Sequence, residues 1–200
     1  MNTAKTIRLA DMDKKETIIF SIDINNGFCR GGALYSPRTK ALIPATVKFL
    51  AYALAKGYEV TAFTDCHGED SPEFSVYPEH CLSTDAESRL VSELEFLYNS
   101  PKARVIPKNS TNGFFVIYPK AMEKYENFII SGCCTDICVY QFAITLKAYF
   151  NQRNLRKNVI AVSSLIDTFD MPGHNADEIN SIFFTSMLAN GIIVVDSIEY

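Results

Sequence analysis

No tryptophan occurs in the 200 residues, histidine occurs only three times, and the net charge is not positive. Each scarcity excludes something. Any aromatic surface for a ligand must be built from the 14 phenylalanines and 10 tyrosines. Lysine and arginine number 19 against 23 aspartates and glutamates, a formal charge of −4, and the short LRK stretch at 155–157 is no basic patch. That balance argues against nucleic acid or an anionic membrane surface as a partner. No apolar run approaches the roughly 18–20 residues of a membrane span. The opening MNTAKTIRLADMDKKETIIF has no long apolar stretch before Thr17, so no signal peptide is expected. The six cysteines, Cys29, Cys66, Cys81, Cys133, Cys134 and Cys138, are then expected as free thiols in a cytoplasmic protein.

What is present is the composition of an ordinary globular chain, 48% hydrophobic and 21% charged. Its length suits one domain, 1–200, with a core that needs no disulfide staples. Short apolar runs rich in β-branched residues alternate with helical patterns. Strands are expected at 17–23, 58–65, 103–108, 127–132, 158–164 and 192–197, and helices at 41–57, 85–97, 135–152 and 176–191. Gly57 and Gly191 close two of the helices. Near-continuous apolar strands imply a sheet covered on both faces, hence an α/β domain with a mostly parallel six-stranded sheet. The irregular stretches 24–39 and 66–84 follow strands and should lie at the carboxyl edge of the sheet, where ligands bind in open α/β folds.

Polar residues gather at those strand ends. Asp23 ends the first strand, Asp65 and His67 the second, and Lys108 the third, while the GCCTDICV stretch follows the fourth. Thr135 or Asp136 is an expected N-cap for the next helix, with Cys138 in its first turn, where the helix dipole favours a thiolate. Such a thiolate beside lysine is an activated nucleophile. The three clustered cysteines also fit simple packing, a redox pair or a metal site, although Cys29, Cys66 and Cys81 supply no second zinc-binding pair. Asp65 and His67 are two apart in an extended segment and point the same way, with His80 in the loop beyond. Two imidazoles and a carboxylate make a divalent-metal site with open positions. Glu69, Asp70 and Glu73 read as solvated loop charge, and His174, in MPGHNADE, as a residue near a helix start.

Four motifs in order, SIDINNGFCRGGAL, TDCHG with YPEHC, IPKNSTNGF and SGCCTDICV, resemble those of the isochorismatase-like cysteine hydrolases, nicotinamidase/pyrazinamidase branch, over roughly residues 17–165. The resemblance implies a three-layer α/β/α sandwich of Rossmann-like type. It implies Cys138 as nucleophile with Asp23 and Lys108, and an oxyanion hole from the N–H groups of Cys134 and Cys138. A cis peptide between Cys133 and Cys134 is implied too. Asp65, His67 and His80 would hold a divalent ion, zinc foremost, iron or manganese otherwise. The implied activity is deamidation of nicotinamide or pyrazinamide-like amides through a thioester, with Phe28, Tyr77 and Cys133 at the substrate. The alternative is hydrolysis of another small amide, carbamoyl or ureido compound. A homo-oligomer is also implied. The chain departs from the branch pattern at Asn25, Gly27, Tyr77, Asn109 and Phe142.

Overall fold

Thr17–Ile22 (β2) reads TIIFSI, and all six residues are buried. Its alternate side chains enter opposite layers: Ile18, Phe20 and Ile22 join one apolar cluster, and Ile19 joins another. That two-sided burial explains the unbroken apolar run. In the computed structural model, which describes residues 5–200, β2 pairs in parallel with Glu59–Asp65 (β3) on one side and Asn127–Gly132 (β5) on the other. Ala103–Lys108 (β4) extends the sheet beyond β3, and Asn158–Ile166 (β6) and Ile193–Val195 (β7) extend it beyond β5. The order is β4-β3-β2-β5-β6-β7, all parallel. The chain reverses its direction of travel around β2, so the crevice between the ends of β2 and β5 is the topological switch point.

Helices cover both faces, giving the expected three layers. Ile43–Ala55 (α3) buries Phe49, Leu50 and Ala53 against one face. Tyr140–Gln152 (α5) buries Phe142, Ala143, Leu146 and Phe150 on the other, with Met187 of Ala176–Ala189 (α6) in the same layer. Phe142 meets Phe20 and Phe63 at ring-centroid distances of 4.7 and 5.2 Å, so this departure from the branch pattern is a core aromatic. Short helices Asn26–Cys29 (α1), Pro37–Ala41 (α2) and Pro119–Met122 (α4) fill the connections.

Three expectations change. The helix at 41–57 is split, because Pro44 opens a new helix after α2. The helix at 85–97 is instead 3₁₀ structure, at Ala86–Ser88 and Ser92–Asn99. Its buried residues Val91, Leu94 and Leu97 recur every three positions, the period of a 3₁₀ helix. The last strand stops at Val195, and Ser197–Glu199 (β8) leaves the main sheet to pair in parallel with Thr6–Arg8 (β1).

Candidate active site

Asp65 and Lys108 occupy the last register of the β3–β4 pair, directly opposite each other. Asp23 follows β2 with φ 54°, a left-handed conformation uncommon for a side chain other than glycine. Its N–H donates to the Phe63 carbonyl at 3.1 Å, fixing that bend. Gly132, at the end of β5, has φ 118°, and a Cβ there would lie 2.0 Å from the Ile22 carbonyl oxygen. Only glycine lets the cysteine turn come so close to β2. The Cys133–Cys134 peptide is cis, as the resemblance implied.

The strand ends therefore bring Asp23, Lys108 and Cys138 together. Lys108 Nζ lies 2.8 Å from Asp23 Oδ2 and 2.7 Å from Asp65 Oδ1. It also donates toward Cys138 Sγ at 3.7 Å. Lys108 and Asp23 are wholly enclosed, whereas Cys138 reaches a cavity of about 530 Å³. Burial pushes the Asp23 carboxyl up to about 6, against the pull of Lys108 and with a further push from Asp65. Burial also opposes charge on Lys108, but Asp23, Cys138 and Asp65 hold the ammonium firmly charged. Burial works against ionisation of Asp65, yet Lys108, His67 and His80 keep it well below the usual carboxylate range.

Cys138 differs from the expectation of a resting thiolate. It sits in a π-helical turn, Thr135–Val139, which has no side-chain cap. Burial pushes its thiol well up, Lys108 only partly opposes this, and Asp23 and Asp65 add to it. The buried thiol thus favours its protonated form, with the Asp23 carboxyl sharing the Lys108 ammonium beside it. The expected N-cap residues are engaged elsewhere. Thr135 Oγ1 donates to Asn180 Oδ1, and Asp136 accepts from Thr168 and His174. Among the described residues the Cys134 N–H finds no backbone acceptor.

Asp65, His67 and His80 also converge, with one ligand atom from each within 4.8 Å of the others. Both imidazole Nε2 atoms lie 3.0 Å from Asp65 Oδ2. Their Nδ1–H groups have carbonyl-type acceptors: Asn109 Oδ1 for His67 at 3.1 Å, and the Pro78 carbonyl for His80 at 2.7 Å. Those acceptors leave each Nε2 to face Asp65, where it donates to the carboxylate while no cation lies between them and would offer its lone pair to a cation that did. Three electron-rich atoms turned on one point suit a divalent cation. Asn109 thus orients the His67 ring, a contact that spacing alone did not reveal. Glu73 reaches the same cluster: half-buried rather than solvated, it accepts from the Thr111 N–H at 2.9 Å and brings Oε2 to 3.9 Å from His67 Nε2.

Phe28, Tyr77, His80 and Cys134 line the cavity beside Cys138. Cys133 does not. It is fully buried, and its Sγ donates to the Asp23 carbonyl at 3.1 Å, bracing the carboxylate's backbone. Asn25, another departure, donates to the carbonyls of Asp65 and Ser88 and ties the first loop to the end of β3. Phe169, Asp170 and Met171, from the loop after β6, also line the cavity.

A parallel α/β sheet with an enclosed lysine and aspartate behind a cysteine that reaches a pocket at the switch point defines a Rossmann-like α/β enzyme scaffold. The isochorismatase domain model matches residues 17–168, and the chain belongs to that family of hydrolases. Nicotinamidase 1 of Arabidopsis thaliana is 31% identical over 177 residues, covering 79% of this chain and 72% of the relative. Among solved structures, the pyrazinamidase/nicotinamidase of Streptococcus mutans UA159 superposes with a TM-score of 0.75 at 19% identity, over 90% of this chain and 99% of that one. The Pyrococcus horikoshii pyrazinamidase in complex with zinc gives 0.73 at 21%, over 90% and 98%. The N-carbamoylsarcosine amidase of Thermoplasma acidophilum gives 0.72 at 22%, over 92% and 99%. Among the described residues no helix is long and apolar enough to cross a membrane.

Proposed function

We propose that the protein is an amidohydrolase that converts nicotinamide, and similar flat aromatic amides, to the acid and ammonia. The observation that carries this reading is the enclosed Asp23–Lys108–Cys138 cluster opening onto the same cavity as Asp65 and His80. The aligned plant nicotinamidase supports the substrate class.

The geometry supports the following steps. Asp23 accepts the Cys138 thiol proton, and Lys108 keeps the new carboxylic acid and thiolate in one charge-balanced cluster. The thiolate adds to the carboxamide carbon. The N–H groups of Cys134 and Cys138 face the developing oxyanion. Asp23 returns the proton to the departing nitrogen, ammonia leaves, and a thioester remains on Cys138. Asp23 then takes a proton from water, which attacks the thioester, and the acid is released as the thiol re-forms. Phe28 and Tyr77 flank the flat ring. Asp65, His67 and His80 would hold a divalent ion, zinc in the first instance and iron or manganese otherwise, which supplies a Lewis acid for the ring nitrogen. The zinc complex of the Pyrococcus pyrazinamidase supports that choice.

The test is ammonia release from nicotinamide by wild type and Cys138→Ala, each with added zinc or manganese. Release by wild type that disappears in the variant is expected. Release by both would remove Cys138 from the mechanism. No release from nicotinamide, with release from an N-carbamoyl compound, would move the substrate to the ureido class.

A further inference from the structure

His174 lies outside the catalytic cluster, yet its ring is held on three sides. It stacks on Phe169 at 4.1 Å between centroids and 4° between planes. Its Nδ1 is 2.9 Å from the Phe169 carbonyl oxygen, and its Nε2 is 2.9 Å from Asp136 Oδ2. Both neighbours are acceptors, so both ring nitrogens must carry hydrogen for both bonds to form. The doubly protonated ring is a cation, and Asp136 is its counter-charge. The second oxygen of Asp136 accepts from Thr168 Oγ1 at 2.6 Å. Side-chain exposure is only 17% for His174 and 10% for Asp136, so the pair is largely desolvated. The other charges of the neighbourhood, Asp167, Asp170 and Asp177, are bound to Arg38 of α2.

The two ends of this arrangement matter. Asp136 belongs to the turn that carries Cys138, and Phe169 lines the same cavity as Cys138. The loop of Phe169 is tied to the turn a second time, because the Thr135 N–H donates to the Asp167 carbonyl at 3.2 Å. We propose that His174 is a positioning residue that, as an imidazolium locked between Asp136 and the Phe169 carbonyl, sets Phe169 as the ring-facing wall and so makes Phe169 a specificity-determining residue for aromatic amides. This rests on the amidase reading above. Losing the cation breaks one of the two hydrogen bonds and frees Phe169 to rotate away from the ring. The effect falls on substrate binding, since neither side chain is hydrogen-bonded to Cys138, Asp23 or Lys108. Asp136 also raises the proton affinity of His174 against the effect of burial.

The experiment is kcat and KM for nicotinamide and for a small aliphatic amide across pH, with wild type, Phe169→Ala, Phe169→Leu, His174→Ala and His174→Gln. Loss of the aromatic face and the apolar contact beside it predicts a several-fold, up to roughly tenfold, rise in nicotinamide KM for Phe169→Ala. Its kcat should change less than its KM, and the KM for the aliphatic amide should rise less than that for nicotinamide. His174→Ala should raise the nicotinamide KM similarly. In wild type that KM should rise as pH climbs through the His174 titration, and both His174 variants should lose this limb. An unchanged KM and pH profile in His174→Ala and His174→Gln would overturn the proposal. The titration of the His174 ring, followed by NMR in wild type and in Asp136→Asn, tests the lock without catalysis. A proton affinity no higher than that of free histidine, or one indifferent to Asp136→Asn, would also overturn it. Wild type inactive on nicotinamide but with a raised His174 titration would sink the substrate assignment and leave the lock standing.

Discussion

Lys108→Met is the perturbation that most directly probes the cluster. Lys108 is fully buried and, among the described residues, is the one lysine or arginine within reach of Asp23, Asp65 and Cys138. Methionine keeps most of the volume and removes the charge. Asp23 and Asp65 are then left enclosed with no neutralising partner but the imidazoles on Asp65. Breaking a buried ion pair from one side costs about 3–5 kcal/mol. For a domain of this size each kcal/mol moves Tm by roughly 2–4 °C, so the metal-free variant should melt about 6–20 °C below wild type. Asp23 should escape part of that cost by holding its proton, because burial already pushes it up to about 6 with the ammonium present. Lys108→Met/Asp23→Asn should therefore recover about 1–3 kcal/mol relative to the single variant, a coupling that a double-mutant cycle in urea measures. Added zinc should narrow the remaining gap, since a cation at Asp65 replaces the missing charge. A metal-free Lys108→Met within 1 kcal/mol of wild type, estimated as the scale of a surface pair, would refute the reasoning. It would mean that water reaches the carboxylates and that the cluster is not the enclosed site described above.

Other perturbations separate the parts of the site. Asn109→Ala removes the acceptor that orients His67, and zinc affinity in a chelator competition should fall about tenfold, at the low end of the usual range because Ser71 Oγ also meets His67 Nδ1 at 3.2 Å. A wild-type affinity in this variant would show that Asn109 does not orient the ring. Asp23 must be ionised to accept the thiol proton, and its carboxyl is raised to about 6. kcat/KM should therefore fall as pH drops below 6, by about tenfold per unit, and zinc at Asp65 should move that limb to lower pH. A flat profile from pH 7 to 4.5 would remove Asp23 as the base. Phe142→Ala should cost about 3–5 kcal/mol in urea unfolding, because the ring is buried between Phe20 and Phe63. A loss under 1 kcal/mol would show that the residue has no packing role.

The parts of the site legible in the sequence are those fixed by strand geometry. Asp23, Asp65 and Lys108 end parallel strands, and parallel strands in one sheet deliver their ends to one rim. Asp65 and His67 share a face because extended chain repeats every two residues. What escaped was whatever depends on a partner distant in the chain or on a local period close to that of a helix. Val91, Leu94 and Leu97 satisfy an amphipathic α-helix as readily as the 3₁₀ turn they form, since spacings of three occur in both. Asn109 looked like a departure from the lysine motif, and its meaning appears only when β4 sets it beside His67, 42 positions earlier. Asp136 read as a cap for the helix after it because Asp is good at that task. The structure gives it to His174, 38 positions later, where a desolvated cation and a hydroxyl together outweigh a single backbone N–H. The 168–174 segment carries no motif of its own for the same reason. Its function is to close a pocket whose chemistry lies on other strands, and nothing in its local sequence needs to advertise that.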